Sequence, residues 1–246
     1  MNQKKTTLVI LPGWGGTRET WQSFIEIASN DYTVTCLNLP CFGDEPCPPT
    51  VWGIQEYSDF VKEKIQSLTQ TSPAVTEKVI LLGHSFGGQV ATYVAAHHPE
   101  LVKKLILSGP AIFRPNKSFH RLVFGGIAKI GKTIFSIPFL EKRSLMAKKL
   151  LYRAAHSPDY QATGGIKREI FKKIIREDVS ALLPTIHLPT LVLWGKLDAY
   201  TPIKYGQKIT TLMPDASLCL YPFGKHGLHL QMPEAMFVDV KKFIES

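Results

Sequence analysis

The feature that most constrains this chain is residues 78–98, where a short apolar segment breaks at glycine and restarts with helix-forming residues. Residues 78–82 form a short, mostly apolar segment, as in a buried strand. Most side chains of residues 89–96 are small, which suits a helix that packs closely on a sheet. At the break the sequence is Gly83-His-Ser-Phe-Gly87. A larger side chain at either glycine would collide as the chain reverses, so the pattern predicts a sharp strand-to-helix turn centred on Ser85.

A serine at such a turn is suited to nucleophilic catalysis. The strained backbone exposes the hydroxyl of Ser85, and the following helix directs its N-terminal N–H groups at the same point. We therefore predict Ser85 as a nucleophile and the N–H of Phe86 as a donor to the oxyanion that forms during attack. The alternative is a tight turn without chemistry, because a Gly-x-Ser-x-Gly pattern by itself is common in loops.

A second glycine-rich loop, Pro12-Gly-Trp-Gly-Gly16, follows a strand predicted at residues 6–11. Glycine at this density lets backbone N–H groups approach a ligand closely. We predict the N–H of Trp14 as the second oxyanion donor. The alternative is an ordinary strand-to-helix connection in which the tryptophan only fills space.

Short apolar segments alternate with amphipathic segments along much of the chain. In residues 53–69, apolar side chains recur at steps of three and four and form one face of a helix. Strands that alternate with helices predict right-handed crossovers and a parallel sheet. The predicted strands are residues 6–11, 32–39, 78–82, 102–108, 190–194 and 217–221, and the predicted helices around them are residues 18–29, 53–69, 89–96 and 233–244.

The pattern changes between residues 111 and 187, where helical segments follow one another without strands. This segment holds 15 Lys and Arg against 5 Asp and Glu, whereas the rest of the chain holds 14 against 15. We predict a core of residues 1–110 and 188–246 and a helical cap of residues 111–187 that lies over the strand ends as a lid. The charge of the cap is consistent with an acidic partner, and the alternative is a helical surface whose charges are simply solvated. The alternative for residues 122–140 is a helix that lies on a membrane surface, since lysines there are mixed with aromatic and aliphatic residues.

Composition and length argue against several classes of protein. The chain has 246 residues, a net charge of +9 and 44% hydrophobic residues, which suits one large α/β domain with an insertion. It has no run of about eighteen apolar residues, so we predict no membrane-spanning helix. Residues 8–11 are too short an apolar block for a signal peptide, and we expect a cytoplasmic protein.

The four cysteines form no Cys-x-x-Cys pair, so we expect reduced thiols and neither metal nor cofactor. The basic segment carries no recognition motif, which argues against nucleic-acid binding.

Two further polar residues, Asp198 and His226, each follow one of the last two predicted strands. Ligands of open parallel sheets bind at the carboxyl ends of the strands, where these loops would meet Ser85. We predict His226 as the base that takes the proton of Ser85, and Asp198 as the residue that orients the imidazole. Taken singly, Asp198 also fits an ordinary turn and His226 a solvated loop. His229 competes with His226, but it lies between two leucines and we expect it to pack inward.

Four motifs together resemble the α/β-hydrolase family: GHSFGG at residues 83–88, LPGWGG at 11–16, WGKLDAYTP at 194–202 and HGLHLQMPE at 226–234. The resemblance covers nearly the whole chain outside residues 111–187. It implies an α/β fold with a mostly parallel sheet flanked by helices and an inserted helical cap. It also implies Ser85, Asp198 and His226 as the catalytic triad, with the N–H groups of Trp14 and Phe86 as the oxyanion hole.

The chain departs from the family pattern at several positions. Pro12 stands where the first loop usually has histidine, and Gln231 where a glutamate usually follows the catalytic histidine. Residues 38–45 read Asn-Leu-Pro-Cys-Phe-Gly-Asp-Glu, where the family has a pattern resembling Asp-x-Pro-Gly-x-Gly-x-Ser. Because the sequence reaches its first strand almost at once, we expect one or both of the family's first two antiparallel strands to be missing.

A serine at the turn argues against the dehalogenases and epoxide hydrolases of this family, which resemble it but have aspartate there. We predict an esterase that cleaves small esters of short- to medium-chain acyl groups through an acyl-enzyme. The alternatives are a lactonase, a carbon–carbon bond hydrolase, or an esterase for acyl chains on acidic acyl carrier protein. The tryptophan-containing loop and the basic cap are similar to those of carboxylesterases that act on such carrier-bound chains. A ligand-binding or membrane-surface protein that contacts lipid through the cap is the non-enzyme alternative, and the triad argues against it. The pocket candidates are His84, Phe113, Phe124, Phe135 and Phe139.

Overall fold

The protein is built on a sheet of six strands that all run parallel in the part of the chain that the structure describes. This structure is a computed structural model that describes residues 5–70, 78–114 and 164–246. The strands are β1 (Thr7–Leu11), β2 (Thr33–Cys36), β3 (Val79–His84), β4 (Val102–Ser108), β5 (Thr190–Gly195) and β6 (Ala216–Tyr221). Their order across the sheet is β2-β1-β3-β4-β5-β6. The predicted α/β fold with a mostly parallel sheet is confirmed.

Helices cover both faces of the sheet. Those in the described residues are α1 (Gln22–Ala28), α2 (Ile54–Gln70), α3 (Phe86–His97), α4 (Gly165–Ile174), α5 (Lys204–Leu212), α6 (Leu228–Gln231) and α7 (Pro233–Glu245). A 3-10 turn at Arg18–Trp21 precedes α1, and a longer one at Ser180–Thr185 leads toward β5.

The two faces of the sheet form two separate apolar cores, because successive side chains of a strand point to opposite sides. In β1, Val9 and Leu11 belong to the core beneath α2 and α3, whereas Leu8 and Ile10 belong to the core beneath α1 and α7. With both faces covered, ligands reach the sheet at its carboxyl edge, where the loops after the strands lie side by side.

Helix α5 is absent from the sequence prediction, although its apolar side chains Tyr205, Ile209 and Leu212 recur at steps of four and three, as in a helix. Its buried side includes Gly206, which lies so close to the Trp194 ring that an added Cβ would be 2.8 Å from it. The short helix α6 has four residues, too few for any periodic pattern.

The predicted cap falls mainly on residues 115–163, outside the described residues, so its boundaries stay a prediction. The described residues on either side of that gap, 111–114 and 164–187, contain α4 and a 3-10 turn. Within the described ranges, every helix is too short or too polar to cross a membrane.

The prediction of reduced cysteines is wrong for one pair, because Cys41 and Cys47 form a disulfide. Their spacing matches no metal or redox motif, but the backbone between them folds back on itself. The N–H of Cys41 donates to the carbonyls of Glu45 and Pro46, and the two cysteine α-carbons lie 4.1 Å apart. Cys36 and Cys219 have free thiols.

Candidate active site

The turn between β3 and α3 has the strained geometry that its sequence predicts. Ser85 has φ 51° and ψ −114°, in a region that residues with a Cβ rarely adopt. An added Cβ on Gly83 would lie 2.5 Å from the Gly87 carbonyl oxygen, and one on Gly87 would meet the backbone oxygens of Leu11 and Pro12. The helix begins at once with Phe86, earlier than predicted, so the N–H of Phe86 is among the N-terminal amides without an acceptor inside the helix.

Asp198 and His226 are joined by a hydrogen bond of 2.7 Å between Oδ2 and Nδ1. The carboxylate of Asp198 is 1% exposed. Burial by itself raises the pKa of this carboxyl, but the hydrogen bonds from His226 and Thr201 outweigh burial and hold the pKa below its usual value. An ionised carboxylate can only accept, so Nδ1 of His226 carries the proton and Nε2 of the neutral ring is left with a lone pair.

Thr201 and Tyr200 complete the surroundings of this pair, and sequence analysis did not single them out. Oδ1 of Asp198 accepts the N–H groups of Tyr200 and Thr201, at 2.8 and 2.9 Å, and Oδ2 accepts the hydroxyl of Thr201 at 2.7 Å. The ring of Tyr200 stacks on that of His226 with centroids 5.0 Å apart. An Asp with polar residues two and three positions later is the pattern of a side-chain-closed turn, which is the signal that could have identified Thr201.

The predicted site residues meet at one open cavity on the carboxyl edge of the sheet. Ser85 and His226 both line this cavity, and Asp198 lies behind His226. Phe124, Phe135 and Phe139, three of the pocket candidates, lie outside the described residues. The other predicted residues that line the cavity are Trp14, His84, Phe86 and Phe113.

The ring of Trp14 is packed among three aromatic side chains. It meets Phe42 at 4.8 Å, Phe86 at 5.5 Å and Phe171 of α4 at 4.9 Å between ring centroids. Edge-to-face contacts of this kind stabilise a preferred ring position beyond simple burial. The Pro12–Gly16 loop is therefore held from three sides at the point where it borders Ser85.

Three histidine rings lie together under the cavity, and two of them are buried. His84 lies 4.7 Å from His226 and 4.8 Å from His229 between ring centroids. Its Nδ1 lies 2.9 Å from the carbonyl of Ser108, which can only accept, so Nδ1 carries the proton. Burial, and after it the neighbouring His229 and His226, lower the pKa of His84 well below its usual value, so this ring is neutral at pH 7.

His229 packs inward and does not contact Asp198. Its ring stacks on Trp21 at 4.0 Å with an angle of 6° between the planes. Burial, and to a lesser extent the nearby His226, lowers the pKa of His229 to about 3. Within the described residues its Nδ1 is buried without a hydrogen-bond partner. His226 is thus the histidine of this loop that the structure brings to Asp198.

A second feature that sequence analysis missed ties both ends of the predicted cap to α3. The guanidinium of Arg114 donates to Oε1 of Gln89 at 2.8 Å and to the carbonyl of Ile174 at 3.1 Å. The amide of Gln89 donates in turn to the carbonyl of Glu177 at 2.6 Å. Residues near the two ends of the predicted cap are thereby joined through one buried glutamine of the helix that follows Ser85.

The described residues contain no group of three or more His, Cys, Asp or Glu placed to hold a metal ion. In the cavity, Ser85 and His226 lie among apolar and aromatic side chains, with the carboxylate of Asp198 behind His226.

A comparison with protein families gives a match over residues 2–232 to the family described as serine aminopeptidase, S33. The chain belongs to the serine aminopeptidase S33 family. The predicted membership of the α/β-hydrolases is thereby confirmed.

Characterised relatives of this S33 family member include esterases. The pimeloyl-(acyl-carrier protein) methyl ester esterase of Proteus mirabilis is 27% identical over 263 residues, covering 100% of this chain and 95% of the relative. The protein of the same name from Vibrio vulnificus is 24% identical over 252 residues, covering 96% and 93%.

Solved structures share the fold of this chain. An esterase from Exiguobacterium antarcticum superimposes with a TM-score of 0.73 at 20% identity, covering 99% of this chain and 93% of that one. An enol-lactonase from Burkholderia xenovorans gives a TM-score of 0.72 at 16% identity, covering 99% and 92%.

Proposed function

We propose that this chain is a serine hydrolase that cleaves carboxylic esters, with Ser85 as nucleophile, His226 as base and Asp198 as the residue that orients the base. The observation that carries the proposal is the Asp198–His226 hydrogen bond beside the cavity that Ser85 also lines. Membership of the serine aminopeptidase family and the esterases among its relatives support the same chemistry.

The reaction proceeds in two halves. Nε2 of His226 takes the proton of Ser85 as Oγ bonds to the ester carbonyl carbon, and the carbonyl electron pair moves onto its oxygen. The N–H groups of Phe86 and Trp14 stabilise this oxyanion. His226 then gives its proton to the departing alcohol, which leaves an acyl-enzyme. Water, activated by the same histidine, releases the acid and restores Ser85.

The cavity wall favours an apolar acyl group. Ile112, Phe113, Phe171 and Tyr205 line it next to Ser85, and the rings of Phe113 and Tyr205 stack with centroids 4.9 Å apart. Burial of each methylene contributes about 0.8 kcal/mol, so this wall distinguishes acyl chains by length. Short- to medium-chain acyl esters are the substrates that we propose.

Replacement of Ser85 tests the proposed function. We expect Ser85→Ala to lower kcat for p-nitrophenyl butyrate by more than about a thousandfold without changing the melting temperature, because the attacking oxygen is lost. Ser67→Ala, on the outer part of α2, is the matched control and should keep full activity. Hydrolysis by Ser85→Ala at the rate of the unmodified protein would refute the assignment.

A second candidate function is hydrolysis of an ester carried by an acidic acyl carrier protein. The positive charge of α4 favours this function. This helix holds Lys167, Arg168, Lys172 and Lys173 against Glu169 alone. Lys172 lines the cavity, as does Arg176 just beyond the helix. The relatives named for pimeloyl-(acyl-carrier protein) methyl esters support this proposal.

The two candidates differ in their dependence on charge. If a carrier binds at α4, Arg176→Glu should raise KM for an acyl-carrier methyl ester and leave KM for the free methyl ester unchanged, and added salt should act in the same direction. Lys78→Glu is the control, because Lys78 precedes β3 at the opposite edge of the sheet. Equal KM values for Arg176→Glu and Lys78→Glu would favour the small ester.

A further inference from the structure

The loop closed by the Cys41–Cys47 disulfide lies directly against the proposed oxyanion loop. Its buried Phe42 ring is the one that meets Trp14 edge-on at 4.8 Å. Phe42 also contacts Lys167 of α4, whose Nζ lies 4.2 Å from the ring centroid. The same Nζ donates to the carbonyl of Cys41 at 2.9 Å. The disulfide loop therefore joins α4 to Trp14.

The backbone at Cys41 depends on its surroundings to keep its shape. Cys41 has φ 78°, in the left-handed region that favours glycine and is unfavourable for a residue with a Cβ. The contacts that hold it there are the disulfide and the bonds from its N–H to the carbonyls of Glu45 and Pro46, at 3.2 and 3.3 Å. The loop that contains those two carbonyls is itself closed by the disulfide.

The disulfide is open to reagents from one side. Cys47 is exposed and Cys41 is half-buried, whereas the free Cys36 is buried. A thiolate can reach a disulfide sulfur only where the sulfur is accessible, and exposed disulfides are the ones that exchange readily.

We propose that Cys41–Cys47 is a modification site for dithiol reductants, and that its reduction slows ester cleavage by loosening Phe42 against Trp14. One thiolate of the dithiol attacks Sγ of Cys47 and expels Cys41 as a thiolate, which takes up a proton. The second thiol then attacks the reagent sulfur bound to Cys47 and releases Cys47 as a thiol. The dithiol loses two electrons and becomes a disulfide, and the protein gains two thiols.

The effect on catalysis follows from the contacts of Trp14. Without the cross-link, Cys41 can leave the left-handed region, and its carbonyl then no longer faces Lys167. Phe42 loses its fixed position beside Trp14, and the proposed donor moves relative to Ser85. We expect kcat/KM to fall about tenfold, less than the hundredfold or more that follows complete loss of an oxyanion donor, because the N–H of Trp14 is displaced and not removed.

The experiment uses the purified full chain before and after treatment with dithiothreitol, with p-nitrophenyl butyrate as substrate. Alkylation under denaturing conditions followed by mass spectrometry counts the free cysteines in each sample. We expect two before treatment and four after it, with a tenfold fall in kcat/KM that is reversed by reoxidation. The Cys47→Ser variant should have the lower kcat/KM before treatment, and dithiothreitol should not change it further. The kcat/KM of Cys219→Ser should respond to dithiothreitol like that of the chain with its original sequence.

Tryptophan fluorescence supplies a readout that does not depend on the proposed function. Reduction should change the tryptophan emission of the chain with its original sequence and should leave the emission of the Trp14→Phe variant unchanged. If the chain hydrolyses no ester, the proposed function fails, and this fluorescence difference still decides whether the disulfide acts on Trp14. Four free cysteines before treatment, an active enzyme whose kcat/KM is unchanged by reduction, or Trp14 emission that is unchanged by reduction would each overturn the proposal.

Discussion

The burial of His229 makes the stability of this protein sensitive to acid, and replacing His229 with phenylalanine isolates the effect. The imidazole is 4% exposed and stacked on Trp21, and burial lowers its pKa to about 3. In the unfolded chain the same group has a pKa of about 6.5. Phenylalanine keeps an aromatic ring against Trp21 but cannot bind a proton.

The sign of the effect follows from which state binds the proton. Below about pH 6.5 the unfolded chain protonates His229, whereas the folded protein does not until the pH approaches 3, so stability is lost as the pH falls through this window. Each pH unit in the window lowers the free energy of unfolding by about 1.36 kcal/mol, and between pH 6.5 and pH 5 this free energy falls by about 2 kcal/mol. His84 is also buried and neutral in both proteins; burial is the main cause of its lowered pKa and His229 a smaller one, so most of its contribution is common to the two proteins.

Urea unfolding at about pH 7.5 and pH 5 measures this difference. From the higher to the lower pH, the free energy of unfolding of the unmodified protein should fall by about 2 kcal/mol more than that of His229→Phe. At the higher pH we expect the variant to be no less stable, because the unpartnered Nδ1 of His229 is removed from the interior. If both proteins lose the same free energy between the two pH values, His229 is not held neutral in the folded state and the reasoning is refuted.

Three further substitutions test the contacts around the site. Thr201→Val removes the hydroxyl that donates to Asp198, a bond to a charged group worth about 1.5–3 kcal/mol, so kcat/KM for ester hydrolysis should fall by roughly ten- to a hundredfold, while kcat/KM of Thr201→Ser should stay near the original value. Gly87→Ala forces a Cβ against the carbonyls of Leu11 and Pro12 and should lower the free energy of unfolding by about 3 kcal/mol in urea titrations; an unchanged midpoint would show that the turn can relax. Arg114→Met removes the donor to the buried Oε1 of Gln89. The free energy of unfolding should fall by about 1–3 kcal/mol, measured as a lower melting temperature.

Local pattern was sufficient to predict most of the sheet and the position of Ser85. The strands between residues 6 and 108 alternate with helices, and a parallel sheet must bring the ends of its strands to one edge. Two helices were missed for different reasons: α5 has helical spacing at Tyr205, Ile209 and Leu212 that the prediction overlooked, whereas α6 is a single turn, too short to show a period. A helix as short as α6 is stabilised mainly by packing against its neighbours.

The sequence by itself determined the sharp turn at Ser85, because glycines at positions 83 and 87 permit a backbone path that other residues would obstruct. It also determined the order in which serine, aspartate and histidine follow the strands. Only the tertiary structure decided that His226 and not His229 meets Asp198, that Cys41 pairs with Cys47, and that Arg114 contacts Gln89 of α3 and Ile174 of α4. The contacts of His226 and Arg114 depend on where segments distant in sequence come to lie, and the Cys41–Cys47 pair depends on how the short loop between the two cysteines folds back; neither residue type nor spacing alone specifies these distances.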